Sequence, residues 1–251
     1  MRYLELLGGL HDALRPATYL EIGVRHGDSL ALSRARTIGV DPAFAIKREL
    51  DCPLTLVRTT SDEFFGRPDA LEPFAGEPPS LAFIDGLHLF EHALRDFMHV
   101  EERAAWWSVV VFDDVLPRDA AEASRERQTQ AWTGDVFKVG EALRRHRPDL
   151  ICLPVDTEPT GLLLVLGADP ESDVLARHYE ELLAELVVPD PQEVPADVLR
   201  RAGALDPGAV LRAPVWALLR EARERRLPRE EGMARLRRCV AELLGRPADA
   251  A

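Results

Sequence analysis

Residues 19–29 constrain the fold of this chain more than any other segment, because a short apolar run there ends in a turn bracketed by Gly23 and Gly27. Such a run predicts a buried strand that leads into a turn and then a helix. Residues 37–41 repeat the first half of the pattern and end on the carboxylate of Asp41. This arrangement suits an adenosine-bearing cofactor, because glycine lets the backbone approach a ligand and the acid accepts hydrogen bonds from a ribose diol.

The spacing of the turn, Glu21-x-Gly23-x-x-x-Gly27-x-Ser29, indicates which cofactor is bound. A dinucleotide site has the pattern Gly-x-Gly-x-x-Gly, with a helix N-terminus facing the pyrophosphate. The carboxylate of Glu21 would repel a pyrophosphate, whereas it suits an amino-acid ammonium group. The turn resembles motif I of the class I S-adenosylmethionine (SAM) methyltransferases, and the alternative is an ordinary strand-to-helix turn. The SAM-binding residues that the resemblance implies are Glu21, Gly23, Gly27, Ser29 and Asp41.

Short apolar runs predict seven strands, at residues 18–23, 37–41, 54–58, 80–85, 108–113, 150–155 and 161–166. The runs lack alternation, as expected of parallel strands that are covered on both faces. Residues 156–160 join the last two and are too few for a crossover helix, so these strands should form an antiparallel hairpin. The pattern resembles the Rossmann-like, mostly parallel α/β sheet of class I methyltransferases, which implies the strand order 3-2-1-4-5-7-6.

Helical patterns separate the strands, at residues 2–14, 27–35, 44–50, 61–66, 87–105, 119–130, 135–146 and 171–186. Pro189 and Pro191 then break the chain, and stretches rich in Arg, Leu and Ala predict helices at residues 195–203, 208–226 and 228–245. We therefore divide the chain into a SAM-dependent methyltransferase domain, residues 1–188, and a helical C-terminal extension, residues 189–251. The extension packs on the domain, joins two copies in a homodimer, or closes over the substrate as a lid.

The composition limits the partners of the chain. A net charge of −12 argues against nucleic acid, because phosphate binding needs clustered Lys and Arg. No apolar run approaches the roughly 18 residues of a membrane span, and the N-terminus lacks the apolar core of a signal peptide. The three cysteines are scattered without metal-ligand spacing, which favours a reducing cytoplasm. We expect a cytoplasmic protein whose partner is a small molecule.

Acidic residues follow two of the predicted strands. Asp85 ends the fourth strand, His88 comes three residues later, and Asp113 and Asp114 end the fifth. The carboxyl ends of parallel strands meet at the edge that also holds the glycine turn, so these side chains should converge beside the cofactor. Three carboxylates at one point repel each other unless a positive charge lies between them. An all-oxygen cluster suits a hard cation, Mg²⁺, Ca²⁺ or Mn²⁺, rather than zinc. We call Asp85, Asp113 and Asp114 the acidic cluster.

The pattern Ile-Asp-Gly-x-His-x-x-Glu at residues 84–91 and the Asp-Asp pair, behind motif I, make the resemblance more specific. Together they resemble the bacterial class I methyltransferases that include macrocin-type sugar O-methyltransferases, over residues 18–166. The resemblance implies that the acidic cluster holds Mg²⁺ and that His88 is the general base; we also place Asp85 among the cofactor-binding residues. The chain departs from the family at residues 103–108, where the family often has a Gly-Gly turn.

Each of these acidic and basic residues has a structural alternative. Asp85 would otherwise cap the following helix, and His88 would contact backbone at the start of that helix. The Asp113–Asp114 pair would otherwise lie in a turn before Pro117. His92, one helical turn beyond His88, is interpreted as a surface residue, because an i,i+4 histidine pair needs a third ligand to bind zinc.

Two further segments are candidates for ligand contact. Ser61 and Asp62 follow the third strand, and either can accept a hydrogen bond from the adenine amine; the alternative for Ser61 is a helix N-cap. The polar residues 132–138 can line the substrate pocket or lead into a capped helix. The charged candidates there and just before are Arg118, Asp135 and Lys138.

The sequence thus predicts a SAM-dependent, Mg²⁺-assisted O-methyltransferase. Its acceptor would be a sugar-like or vicinal-diol hydroxyl, in natural-product or polysaccharide biosynthesis. Coordination would acidify a substrate hydroxyl, His88 would remove its proton, and the alkoxide would attack the methyl group in line. The alternatives are a metal-independent or N-methylating enzyme of the same fold, a hydroxylase-like relative, and a non-catalytic SAM-binding scaffold. A nicotinamide dehydrogenase does not match the spacing of the glycine turn.

Overall fold

The computed structural model describes residues 1–245. One seven-stranded sheet has the order β3-β2-β1-β4-β5-β7-β6, and only β7 runs antiparallel to its neighbours. The predicted order is confirmed, and every predicted strand lies within one residue of its observed bounds. The strands are β1 (Thr18–Ile22), β2 (Arg36–Val40), β3 (Leu54–Val57), β4 (Leu81–Ile84), β5 (Val109–Phe112), β6 (Ile151–Val155) and β7 (Leu162–Leu166).

The strands form where the sequence predicts because their side chains are buried on both faces of the sheet. In β4, Leu81 and Phe83 face one hydrophobic cluster, and Ala82 and Ile84 face the other. Full burial of a side chain the size of Leu or Phe contributes about 1.5–3 kcal/mol. Continuous apolar runs therefore identify these strands without alternation.

Helices cover both faces of the sheet. They are α1 (Tyr3–Leu14), α2 (Ser61–Phe65), α3 (Phe90–Glu101), α4 (Lys138–His146), α5 (Val174–Leu186), α6 (Ala196–Leu199), α7 (Pro207–Arg212), α8 (Val215–Arg225) and α9 (Arg229–Leu243). In α3, Phe90, Leu94 and Phe97 recur at helical spacing and are fully buried. No described helix is both long and apolar enough to cross a membrane.

Three predicted helices are wrong. The segment 27–35 contains only a 3₁₀ turn, Leu30–Leu32, so no α-helix follows the glycine turn. Local hydrogen bonds of serine side chains compete with a helix there, since Ser29 Oγ donates to Glu21 and Ser33 Oγ lies 2.8 Å from Thr37 Oγ1.

The segment 44–50 has no regular secondary structure. The amides of Ala45 and Lys47 donate to the carbonyls of Arg25 and His26, at 2.8 and 3.0 Å. These amides therefore donate to the loop that contains Gly23 and Gly27 instead of forming a helix. Local sequence does not predict this pairing.

The segment 119–130 is an irregular loop with short turns. The amides of Arg125 and Glu126 donate to the carboxylate of Asp190, at 3.1 and 2.9 Å. An acid from the distant C-terminal side therefore takes donors that a helix would need. The predicted helix at 208–226 is also divided, because Pro214 separates α7 from α8.

The C-terminal extension packs on the face of the sheet that α1 also covers. Residues of α8 and α9 belong to the same hydrophobic cluster as Leu6 of α1 and Phe83 of β4. Trp106 Nε1 donates to the Leu227 carbonyl at 2.8 Å. A Cβ on Gly232 of α9 would lie 2.0 Å from the Trp106 ring. Trp106 lies in residues 103–108, where the chain departs from the family's Gly-Gly pattern. Its ring packs directly against α9 at Gly232.

Candidate active site

A cavity of about 650 Å³ opens at the carboxyl edge of the sheet, within the size range of small-molecule sites. The ends of β1, β2, β4 and β5 contribute Gly23, Asp41, Asp85 and Asp113 to its wall. The predicted convergence of these strand ends is therefore observed. Thr160 is the last residue along the chain that lines the cavity, so no residue of the described extension lines it.

Gly23 is required by the packing of neighbouring strand ends. Its φ is +91°, and a Cβ there would lie 1.8 Å from the carbonyl oxygen of Asp85. The Asp85 amide donates to the Ile22 carbonyl at 2.8 Å, which fixes this close approach. Gly27 has a φ of +81° and packs below Ile46; it does not line the cavity. The glycines thus shape the loop, and of the two only Gly23 lines the cavity.

Glu21 lies beneath the loop, fully buried. Its carboxylate accepts hydrogen bonds from Tyr19 Oη at 2.6 Å and Ser29 Oγ at 2.8 Å. Burial raises the pKa of Glu21 to about 8, although both hydrogen bonds oppose the rise. Neither Glu21 nor Ser29 lines the cavity. Glu21 was predicted to contact the ammonium group of the cofactor and Ser29 to be a further SAM-binding residue, but in the structure the two side chains support the loop from below.

Asp41 lies at the cavity wall, as predicted for an acid that binds a ribose. Its Oδ2 accepts from the Arg25 amide at 2.7 Å and its Oδ1 accepts from the Ala43 amide at 2.5 Å. Arg25 has a φ of +48°, a conformation that is uncommon for a residue with a side chain. The carboxylate of Asp41 holds this backbone and retains lone pairs for a diol.

The structure brings Asp85, His88 and Asp114 together. One ligand atom from each lies within 4.8 Å of the others. His88 Nε2 is 3.4 Å from Asp85 Oδ1, and His88 Nδ1 is 2.8 Å from Asp114 Oδ2. Asp113 lines the same cavity and is buried, but it does not belong to this trio. Its Oδ1 accepts from the Asp114 amide at 2.8 Å.

The electrostatics of this group are dominated by burial and mutual repulsion. Burial raises the pKa of Asp113, and the charges of Asp114 and Asp85 add to the rise. Burial also raises the pKa of Asp85, while His88 opposes it. For His88, burial lowers the pKa, but the hydrogen bonds and charges of Asp114 and Asp85 outweigh it and raise the pKa to about 11. His88 is therefore the positive charge between these carboxylates in the structure.

Trp132 fixes the orientation of His88. The two rings are stacked, with centroids 5.2 Å apart and an angle of 6° between planes. His88 Nδ1 also lies 2.6 Å from the Trp132 carbonyl oxygen. Gly134, with a φ of +53°, makes room for this contact, since a Cβ would lie 1.6 Å from the His88 carbonyl oxygen. The predicted pocket-lining role of residues 132–138 therefore belongs to Trp132.

The three charged residues that the sequence suggested for the substrate pocket lie outside the cavity. Asp135 is fully buried and accepts hydrogen bonds from Arg125 and Lys138, at 2.7 and 3.1 Å. Arg118 is paired with Glu122. None of Arg118, Asp135 and Lys138 lines the cavity. The hydrogen bonds of Asp135 and Lys138 link the segment 119–135 to α4 and to the residues that follow α5. These links position Trp132.

The cavity extends to the start of α2, where Ser61 and Asp62 line it. The N-cap of α2 is Thr60, whose side chain accepts from the Glu63 amide, so the suggested Ser61 cap is wrong. Both carboxylate oxygens of Asp62 accept from Arg95, at 2.6 and 2.7 Å. His92 lines the cavity too and is not the surface residue that the sequence suggested.

Sequence reasoning missed two further cavity residues, Tyr3 and Asp96. Tyr3 comes from α1, and its amide donates to the Glu158 carbonyl at 3.0 Å. Asp96 comes from α3 and is 3% exposed. A signal for Asp96 existed, since an acid stands among Phe90, Leu94 and Phe97 on the apolar stripe of that helix. No local pattern indicates Tyr3.

The sheet order and the cavity at the carboxyl edge, with the glycine turn and Asp41 beside it, are the features that the resemblance to class I SAM-dependent methyltransferases implies. Residues 20–115 match the family model Methyltransf_24, described as a methyltransferase domain. A comparison with curated proteins finds no match.

The solved structures that are similar to this chain include the following three. A cofactor-bound protein from MTB is 15% identical, with a TM-score of 0.49 over 67% of this chain and 82% of that one. The O-methyltransferase TomG from Streptomyces achromogenes, in complex with SAM, is 18% identical, with a TM-score of 0.48 over 66% and 79%. The O-methyltransferase from Bacillus cereus in complex with SAH is 14% identical, with a TM-score of 0.46 over 65% and 80%. Likeness at this level bears on neither the acceptor nor the site residues.

Proposed function

We propose that this chain transfers the methyl group of SAM to a hydroxyl oxygen of a sugar-like or vicinal-diol small molecule. A hard divalent cation, Mg²⁺ first among them, would assist at the acidic cluster. The observation that carries the proposal is the grouping of Asp85, His88 and Asp114 within 4.8 Å, in the same cavity as Asp41. A hydroxyl acceptor needs a base and charge compensation next to the methyl donor, and this cavity offers groups for both. A place in natural-product or polysaccharide biosynthesis is part of the same proposal.

The donor set fits a hard cation. Asp85 and Asp114 offer carboxylate oxygens within the trio, and Asp113 adds a buried carboxyl beside them. Oxygen ligands of this kind suit Mg²⁺ or Mn²⁺. When bound, such a cation acidifies a coordinated hydroxyl and fixes its direction. The chain residues that would hold it are those of the acidic cluster.

His88 is the residue in position to take a proton. Its ring is held by stacking on Trp132, and Nε2 points toward Asp85. In the observed arrangement the carboxylates keep the pKa of His88 near 11, so the imidazole is protonated at neutral pH. A cation held by the acidic cluster would offset the carboxylate charges that raise the pKa of His88. Its pKa then falls toward the range of a general base.

Orientation is the main contribution that we assign to the remaining residues. Asp41 would fix the ribose, and Gly23 would allow close passage of the cofactor along the loop. Trp132 and Tyr3 close the wall near the acidic cluster, which limits access of water to the reacting oxygen. Holding donor and acceptor in line can supply several kcal/mol of the barrier reduction.

A specific observation favours a second candidate, a metal-independent methyltransferase. His88 already compensates Asp85 and Asp114 in the structure, at 3.4 and 2.8 Å. A permanent imidazolium there would orient an acceptor through its carboxylate neighbours instead of acting as a base. A SAM-binding scaffold without catalysis is the remaining alternative, and it requires neither metal nor His88.

Calorimetric titration tests the proposal, with SAM and Mg²⁺ titrated separately and NAD as the negative control. We expect a SAM isotherm, and a Mg²⁺ isotherm that Asp114→Asn removes while SAM binding persists. Asp41→Ala should do the opposite and weaken SAM binding by about 1–3 kcal/mol. Absence of SAM binding would refute the proposed function as a whole.

An acceptor screen separates the candidates further. Vicinal diols, including sugars, aminocyclitols, catechols and polyketide hydroxyls, are incubated with SAM, and methylated product is measured. We expect turnover that EDTA abolishes and Mg²⁺ restores. Turnover that survives EDTA would select the metal-independent enzyme, and SAM binding with tolerated His88→Ala and no Mg²⁺ isotherm would select the scaffold.

A further inference from the structure

Arg201 of the C-terminal extension reaches the loop that joins β6 to β7. Its side chain is 20% exposed, and Nη1 donates to Asp156 Oδ1 at 2.5 Å and to the Thr157 carbonyl at 3.0 Å. Nη2 donates to the Pro159 carbonyl. Pro159 and the next residue, Thr160, line the cavity. The extension therefore bonds directly to a residue of the cavity wall, although no described residue of the extension lines the cavity.

The same guanidinium also bonds to the segment that follows β5. Arg201 Nη2 donates to the Leu116 carbonyl in a long hydrogen bond of 3.4 Å, and the Leu116 amide donates to the Thr160 carbonyl at 2.7 Å. Both backbone groups of Leu116 are thus bonded to partners that are distant in sequence. A guanidinium can contact several carbonyls at once because its N–H groups point outward in one plane. Arg201 therefore links the loop after β6 to the chain that leaves β5.

Asp114, two residues before Leu116, has an unusual backbone conformation. Its φ is +62°, in the left-handed region that a residue with a side chain keeps only when the surrounding structure holds it there. The carboxylate that this backbone directs lies 2.8 Å from His88 Nδ1 and belongs to the trio at the proposed cation site. Asp114 lies just beyond the sheet, where its amide donates to Asp113 Oδ1 at 2.8 Å and the chain after it is fixed through Leu116.

We propose that Arg201 is a positioning residue for the cation site. Through Leu116 it holds the backbone of Asp114, and through Pro159 it holds the cavity wall. The inference rests on the proposed function and goes beyond it, because it gives the C-terminal extension a part in shaping the site. Of the three roles that the sequence left open for the extension, this one is packing on the domain, with a consequence for cation binding.

The expected effect follows from the conformational preference of Asp114. Without the guanidinium, this residue would populate the more common conformations with negative φ. The apparent affinity for a cation then falls with the fraction of molecules that keep the competent conformation. SAM binding should not follow, because Asp41 comes after β2, which β1 and β4 separate from β5 in the sheet.

The test measures Mg²⁺ and SAM binding to Arg201→Gln by calorimetry. Glutamine keeps the Cβ at a position whose φ is +52° and removes the guanidinium. We expect the Kd for Mg²⁺ to rise by about tenfold, the scale of the penalty for a left-handed residue. The Kd for SAM should change by about twofold or less, as expected of distant sites.

Arg200→Gln is the matched control, since it makes the same change one residue earlier, where the arginine pairs with Asp197 on the surface. We expect its Mg²⁺ and SAM isotherms to match those of wild-type protein. A second readout needs no metal: NMR should show exchange of the Leu116 amide about tenfold faster in Arg201→Gln only. The Cα and Cβ shifts of Asp114, which depend on φ, should move in the same variant.

The inference is overturned if Arg201→Gln keeps the wild-type Kd for Mg²⁺, if Arg200→Gln raises it equally, or if SAM affinity falls as far as Mg²⁺ affinity. If Arg201→Gln does not fold, Arg201→Lys replaces it. An ammonium offers its donors from one point, so lysine keeps the pair with Asp156 but does not span the carbonyls of Leu116 and Pro159. The same changes are then expected in smaller degree, and wild-type values would overturn the inference.

Failure of the proposed function gives a different result. Wild-type protein without a Mg²⁺ isotherm would refute the cation site, and wild-type protein without SAM binding would refute the function as a whole. In either case the metal-free NMR readout still decides whether Arg201 holds Asp114. Unchanged Leu116 exchange and unchanged Asp114 shifts in Arg201→Gln would show that it does not.

Discussion

The imidazole of His88 lies flat against the indole of Trp132, with 5.2 Å between ring centroids and 6° between planes. The Trp132 carbonyl oxygen also lies 2.6 Å from His88 Nδ1. Ring and carbonyl together leave His88 one orientation, with Nε2 toward Asp85. A residue 44 positions away in the chain thus fixes the proposed base, and it does so from the segment that follows residues 119–130, which local sequence predicts as a helix.

The stacking predicts the effect of Trp132→Ala. The variant removes the flat surface below His88 but keeps the backbone carbonyl, so the ring should become mobile without unfolding of the domain. Nitrogen NMR of the histidine side chains should show a broadened or shifted His88 signal. With an acceptor in hand, kcat should fall by about tenfold to a hundredfold, while KM for SAM changes little. Trp132→Phe keeps a ring and should lose much less; equal effects of Ala and Phe would contradict the role of stacking.

The close approach at Gly23 predicts a large loss of stability in Gly23→Ala. The new Cβ would meet the Asp85 carbonyl oxygen at 1.8 Å, in a backbone with φ +91°. Gly76→Ala is a matched control, because φ is +83° there and nothing lies within 4 Å. We expect about 1 kcal/mol of destabilisation at position 76 and at least about 3 kcal/mol at position 23. Thermal unfolding measures both, and equal shifts in Tm would show that the contact with Asp85 is not costly.

The raised pKa of Glu21 predicts that the stability of the fold depends on pH. Its pKa rises from 4.5 in the unfolded reference to about 8 in the fold, so the folded state holds a proton that the unfolded state releases. Stability from this group is complete below pH 4.5 and is lost as pH rises to about 8, with a slope of about 1.4 kcal/mol per pH unit.

Glu21→Gln removes that proton, so its Tm should fall less between pH 5 and pH 8 than the wild-type Tm. The residual fall reports the other buried acids whose pKa values are raised, Asp85, Asp96, Glu101 and Asp113. Glu49→Gln, on an exposed loop, should follow the wild-type profile. Parallel profiles for Glu21→Gln and wild type would argue that Glu21 is ionised throughout.

Trp106 predicts how the C-terminal extension is held. Trp106→Ala would leave a cavity below α9 and remove the bond to the Leu227 carbonyl, at a cost of about 3–5 kcal/mol. The neighbouring Trp107 is a control, since it is only partly buried against the same hydrophobic cluster, with an edge contact to Trp106 and the Arg226 guanidinium 5.5 Å from its ring. We expect a large Tm loss and faster proteolysis after residue 188 for Trp106→Ala only. SAM affinity of the folded protein should not change, because no described residue of the extension lines the cavity.

The sequence by itself determined the sheet. The strands β4, β5 and β7 are continuous runs of apolar residues that are buried on both faces, and this property belongs to the run and not to its partners. The same holds for α3, whose apolar residues recur at helical spacing. Asp41, Asp85, His88 and the Asp113–Asp114 pair could be named in advance, because parallel strands bring residues at their carboxyl ends to one edge.

Only the tertiary structure decided the loops and the side chains that they deliver. The segment 119–130 has helical composition, yet Asp190 takes its amide donors, and the resulting loop brings Trp132 to His88. Glu21 looks like a ligand for the cofactor, yet Tyr19 and Ser29 hold it below the loop. Asp96 was hidden within a helix whose other residues fill the core. Hydrogen bonds between residues distant in sequence fix each of these positions, and a local pattern carries no information about such partners.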